Sequence, residues 1–201
     1  MISLKKFWND ANSLKPGGIQ YQNISDKVDG YIELFLKWNK SINLSAARDI
    51  AAVAEHVADC FYLVAHVPPE AESVLDVGAG GGLPGVLLAI ARPNTKVLSL
   101  EPVNKKQAFL RTCARELKLA NYDALPIRLD DHEAADYDVA VSRATWEISD
   151  WLAMGEQRVR VGGVVLGMEA TPSVVLDAAT IRSSYDFLDK TRAIIVRTKQ
   201  S

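Results

Sequence analysis

The chain has 201 residues, 48% of them hydrophobic and 24% charged, with a formal net charge of −2 at pH 7. That length holds one domain with a substantial core, and the near-neutral balance gives no overall field that would announce a nucleic-acid binder. Apolar runs are too short for a membrane helix, the opening MISLKKFWND lacks the core of a signal peptide, and Cys60 and Cys113 have neither CxxC nor metal-like spacing. The expectation is a soluble cytoplasmic protein with no membrane partner and no metal, monomeric by default.

In chain order, a loosely structured entry containing KPGG (Lys15–Gly18) precedes a helix. Ser25 is read as its cap, with Val28, Tyr31, Ile32, Phe35 and Leu36 on one side up to about Asn39. Asp49 caps a second helix whose apolar positions run Ile50, Val53, Val57, Cys60, Phe61 and Val64, before Pro68–Pro69 breaks the pattern. From Ser73 strands and helices alternate. Strands are expected at Ser73–Val77, Lys96–Glu101, Ile127–Leu129, Asp138–Ser142 and Val164–Met168, and helices at Pro84–Ala91, Lys105–Lys118 and Trp146–Arg158. The basic group Lys105, Lys106, Arg111, Arg115 and Lys118 reads as a solvated helix face. Tyr185–Leu188 and Ala193–Arg197, separated by a turn near Asp189–Thr191, read as an antiparallel hairpin. Repeated strand–helix units imply an α/β fold with a parallel, doubly wound sheet. A mostly parallel, Rossmann-like sheet closed by an antiparallel C-terminal hairpin is the layout of class I SAM-dependent methyltransferases, SAM being S-adenosylmethionine. The expected division is a helical N-terminal region, 1–69, packed on a SAM-binding domain, 70–201.

The stretch VLDVGAGGGLPG carries the chemistry. Gly80, Gly82 and Gly85 match GxGxxG literally, but displaced two residues into the loop, and counted from Gly78 the third glycine is Leu83. The other register is D-x-G-x-G, with Asp76, Gly78 and Gly80 at the carboxyl end of the strand. There glycines let backbone approach a ligand, and an acid suits the ammonium of SAM's methionine, directly or through water. Glu101 at the end of the next strand is placed for ribose hydroxyls. Asp130, after the third strand, is placed for the adenine amino group, with Leu129 supplying backbone. After the fourth strand Ser142–Arg143 stands where amino-group methyltransferases carry [DN]PP[YF]. Cys60 and Cys113 lie in helical patterns and read as packing residues, not nucleophiles. Methylation at a ring nitrogen such as guanine N7 needs neither nucleophile nor base, since N7 has a free lone pair and no proton to lose; positioning and exclusion of water suffice.

The run YIELFLKWNKSINLSAARD…EHVADC (Tyr31–Cys60), followed by DVGAGGGLPGVLLAIARP, KKQAFLR, ELKL and VSRA, resembles the RsmG family, also called glucose-inhibited division protein B, over about Ser25 to Ala170. The resemblance implies a bacterial 16S rRNA guanine-N7 methyltransferase using SAM and acting in the 530-loop region of the small ribosomal subunit. By position it implies SAM contacts at Gly78, Leu83, Leu129–Asp130 and Arg143, the last bordering the reaction centre as a positioning residue. It also implies a substrate-side cluster of Asn43, Arg48, His56 and Asp59. Glu169–Ala170 departs from the family's Lys-Gly, reversing charge where an anionic substrate should approach. Cys60 replaces the usual Ser, and Ser45 the usual Thr. Two alternatives stay open: a methyltransferase of the same fold with another substrate, and a module that binds SAM or adenosine without turnover.

Overall fold

The structure, a computed structural model, describes residues 24–143, 146–170 and 177–201; the KPGG entry segment lies outside them. Two helices, α1 (Ser25–Ile42) and α2 (Ile50–Ala65), lead into alternating elements: β1 (Ser73–Val77), α3 (Gly85–Ala91), β2 (Lys96–Leu100), α4 (Asn104–Glu116), β3 (Tyr122–Leu125), β4 (Tyr137–Arg143), α5 (Ile148–Glu156), β5 (Val159–Glu169), β6 (Thr180–Phe187) and β7 (Lys190–Thr198). The seven strands form one sheet in the order β3-β2-β1-β4-β5-β7-β6. β1 to β5 pair in parallel, and β7 runs antiparallel to β5 and β6.

Strand side chains alternate between faces, and here they feed two cores. Val74, Val139, Val141, Val164 and Leu166 join residues of α1 to α4 in one cluster, while Leu75, Ala140 and Val165 join Trp151 and Leu152 of α5 in the other. The N-terminal helices therefore share a continuous apolar core with the sheet. α3 is buried on every side from Gly85 to Ile90, which explains why GVLLAI lacks an amphipathic stripe. Among the described residues no helix is long and apolar enough to cross a membrane.

Several expectations about elements change. Ser25 is not the cap of α1: Ile24 occupies that position without a side-chain bond, and Ser25 is the first helical residue. Asp49 does cap α2, accepting from the Ala52 N–H at 2.9 Å. The third strand is Tyr122–Leu125, not Ile127–Leu129. Tyr122 and Ala124 point inward while the backbone pairs with Val97–Leu100, and Pro126, which cannot donate to a ladder, follows the last paired residue. Remaining boundaries shift slightly: Pro84 is the cap of α3, α4 stops at Glu116, and α5 is limited to Ile148–Glu156. The hairpin turns at Leu188 and Asp189, both at positive φ.

Candidate active site

β1 runs directly into the glycine loop, which is tied to the end of β2. The N–H groups of Gly78 and Ala79 both donate to the Leu100 carbonyl, at 3.0 and 3.1 Å. Gly78 and Gly80 have φ of 72° and 54°, a region that side chains rarely adopt, so the loop needs glycine there. Glu101, buried just beyond β2, accepts from the Gly80 N–H at 2.7 Å and the Val103 N–H at 2.9 Å. Each carboxylate oxygen keeps further acceptor capacity. From the other side α1 closes on the loop. The Tyr31 hydroxyl donates to the Gly81 carbonyl at 2.6 Å, and a Cβ at Gly81 would stand 2.6 Å from the Phe35 ring.

Two cavities meet at this loop. The larger, about 550 Å³, is lined by Gly78, Gly80, Glu101, Leu129, Asp130 and Arg143, together with Pro102, Lys106, Ile127, Arg128, Trp146 and Met154. The smaller, about 150 Å³, lies between the loop and the N-terminal helices; Leu83, His56, Ser45 and Phe35 line it. Gly78, Gly80 and Arg143 border both. Arg143 ends β4, and Cys60 of α2 lies beside its guanidinium. Burial pushes the Cys60 thiol up to about 11, so it stays protonated at neutral pH even with that cation beside it. Burial, assisted by Arg143, lowers the pKa of His56, which keeps the imidazole neutral at pH 7.

Six of the residues expected to meet a cofactor thus surround one cavity. Leu83 lines only the smaller one. Asp76 lines neither. It is 1% exposed, faces the base of α3, and accepts from the Ser99 hydroxyl at 2.8 Å and from the Gly85 N–H. A Cβ at Gly85 would meet the Asp76 carboxylate and stand 2.5 Å from Ser99 Oγ. Gly85, the third glycine of the displaced GxGxxG match, serves this packing. Direct contact between Asp76 and a ligand's ammonium is therefore not the geometry observed. Asp130 lines the cavity from the loop after Pro126, not from a strand end.

The four residues of the expected substrate cluster separate. His56 faces the smaller cavity. Asp59 is engaged elsewhere, accepting from the Tyr185 hydroxyl at 2.7 Å and forming an ion pair with Arg192. Asn43 and Arg48 pair with each other at 2.8 Å in the α1–α2 connection and line neither cavity. Glu169, at the end of β5, is mostly buried and ion-paired with Arg182 at 3.0 Å. Sequence reasoning missed Trp146 and Met154 as walls. Trp146 carried a signal, being a large aromatic in a polar strand-to-helix connection; Met154 carried none.

The strand order, the antiparallel seventh strand and a ligand-sized cleft at the carboxyl ends of β1, β2 and β4 define a class I methyltransferase fold. The apo structure of the S-adenosylmethionine-dependent methyltransferase SibL matches with a TM-score of 0.62 at 16% identity, over 92% of this chain and 71% of that one. Cofactor-bound Rv0187 from MTB matches with a TM-score of 0.61 at 14% identity, over 86% and 91%. Residues 24–189 match the family model for GidB, rRNA small subunit methyltransferase G, and the chain belongs to that family. Among similar proteins named ribosomal RNA small subunit methyltransferase G, that of Psychrobacter cryohalolentis is 37% identical over 69% of this chain, a match spanning 58% of the relative's own length. The Methylobacillus flagellatus protein is 35% identical over 79% of this chain and 78% of its own. That of Neisseria gonorrhoeae strain NCCP11945 is 31% identical over 89% and 91%.

Proposed function

We propose that this chain transfers a methyl group from SAM to guanine N7 of 16S rRNA in the bacterial small ribosomal subunit, in the 530-loop region, as a cytoplasmic monomer. The observation that carries the reading is the pair of cavities meeting at Gly78, Gly80 and Arg143 in a member of the small-subunit rRNA methyltransferase family.

The larger cavity fits SAM by chemistry as well as size. Glu101, fixed by two backbone N–H groups, presents its remaining acceptor capacity to ribose hydroxyls. Asp130 and the Leu129 backbone face the adenine, and the left-handed glycines bring main chain close to the methionine part. Bound there, SAM supplies an electrophilic methyl on a sulfonium. The acceptor base approaches from the side of the smaller cavity, between the glycine loop and the N-terminal helices, where Gly78, Gly80 and Arg143 border both spaces. Arg143 reaches both ligands. Donation to guanine O6 alone orients the base and leaves the N7 lone pair free, whereas a bidentate O6/N7 grip would block it. Neutral His56 tolerates the positive charge that N7 acquires. No side chain takes up a proton, because none is released. Of the expected N-terminal region, 1–69, the helices α1 and α2 act as cover for the catalytic domain, 70–201, and shield the transfer from water. The ion pair of Glu169 with Arg182 supports the rRNA reading over a changed substrate, since the carboxylate meets a cation within the protein.

Incubation with labelled SAM and small subunits lacking the modification, followed by chemical cleavage at N7-methylguanine, tests the reading. One labelled guanine in 16S rRNA is expected. Firm SAM binding without rRNA labelling would overturn it.

A further inference from the structure

Trp146 follows β4 by three residues and is 39% exposed, whereas Trp151, one of the largest side chains in the core, is 2% exposed. The two rings lie 5.8 Å apart and nearly parallel, at 15°. Trp151 is itself fixed, its indole N–H donating to the Leu166 carbonyl at 2.8 Å. Trp146 therefore leans on a rigid neighbour and turns the rest of its surface to the larger cavity. An indole braced in this way loses little freedom on contact, and an aromatic face left partly in water gains when another ring covers it. Ile127, Leu129 and Met154 supply further apolar wall around the same space, with Glu101 as the sugar-side acceptor. A cavity with one aromatic and aliphatic wall, and with Glu101, Asp130, Lys106 and Arg128 on its polar sides, has the chemistry of a purine nucleoside.

We infer that Trp146 is the stacking wall for the adenine ring of SAM. This deepens the function proposed above and rests on it. The cofactor adenine is favoured over the acceptor base because Trp146 borders the cavity of Glu101, Leu129 and Asp130 and not the smaller one that holds His56.

The test measures S-adenosylhomocysteine affinity by calorimetry in wild type, Trp146→Ala and Trp146→Phe, with tryptophan emission followed in parallel. Base–aromatic stacking is lost on truncation to alanine at about 1–3 kcal/mol, so Trp146→Ala should weaken binding about 5- to 150-fold. Trp146→Phe keeps a ring and should stay within a few-fold of wild type. It should also lose the emission change that S-adenosylhomocysteine produces in wild type, a readout that holds even where the alanine variant folds poorly. Unchanged affinity in Trp146→Ala overturns the inference while leaving the proposed function standing. So does an emission change at Trp146 caused by guanosine monophosphate and not by S-adenosylhomocysteine. Absence of S-adenosylhomocysteine binding to wild type defeats the functional reading first, and this one with it.

Discussion

Asp76 lies beneath the glycine loop with one carboxylate oxygen on Ser99 and the other, Oδ1, buried without a hydrogen-bond partner. Burial outweighs the hydrogen bonds from Ser99 and Gly85 and pushes its carboxyl up to about 7. The folded protein then holds a proton that the unfolded chain releases near pH 4. Between those limits the folded state binds more protons, so this group's contribution to stability falls as pH rises from about 4 to about 7. Asp76→Asn removes that slope. Melting curves from pH 4 to pH 8 should show the variant gaining on wild type across this window and levelling above it; a difference independent of pH would refute the buried-acid account. Glu101 gives a contrasting prediction. Both of its oxygens accept from backbone N–H groups, so an amide in Glu101→Gln sets donor against donor at Gly80 or Val103. Calorimetry should find S-adenosylhomocysteine binding weakened about tenfold or more, the scale on which a buried donor left unpaired acts. Gly78, Gly80 and Glu101 were legible because a strand end, a glycine register and an acid after the next strand are local patterns. The orientation of Asp76 was not. The motif names the residue, but strand parity turns it to the α3 face, away from the ligand edge.

At the level of elements, the glycine loop and the ends of β1, β2 and β4 were readable from strand–helix alternation. The third strand was misplaced because Ile127 and Leu129 imitate strand alternation while serving as cavity wall, and Pro126 was the punctuation that should have decided it. What no local pattern shows is how α2 meets the hairpin. Asp59 takes both the Tyr185 hydroxyl and the Arg192 guanidinium, across 126 and 133 residues of chain. Tyr62 stacks on Tyr185 beside them, ring centres 3.8 Å apart at 16°. The resemblance implies a substrate-side place for Asp59; its contacts here tie α2 to β6–β7. Removing one partner of a buried pair is costly, and with Arg192 partly open to solvent the loss in Asp59→Asn should be about 2–4 kcal/mol. Urea denaturation should show that drop, while S-adenosylhomocysteine affinity should change less than about threefold, the smallest effect worth separating from context. A large loss of 16S rRNA methylation with unchanged stability would return Asp59 to the substrate side.

Over the described molecule, one apolar cluster joins α1 and α2 to the sheet, and the loop clamped between Tyr31 and Glu101 lies where the two parts meet. A ligand bound at that loop should stabilise everything at once. At a concentration of about 100 times its dissociation constant, S-adenosylhomocysteine adds about 2.7 kcal/mol. In a protein of this length that corresponds to roughly 5–10 °C in melting temperature. Calorimetric scanning should therefore show a single transition that moves up as one with added ligand. Gly78→Asp should abolish the shift, because Gly78 has φ of 72° and borders both cavities. Two transitions, of which the ligand moves only the later, would mean that the N-terminal helices melt independently of the sheet. In that case they could not shield the transfer from water in the way the shared core and the Tyr31–Gly81 bond imply.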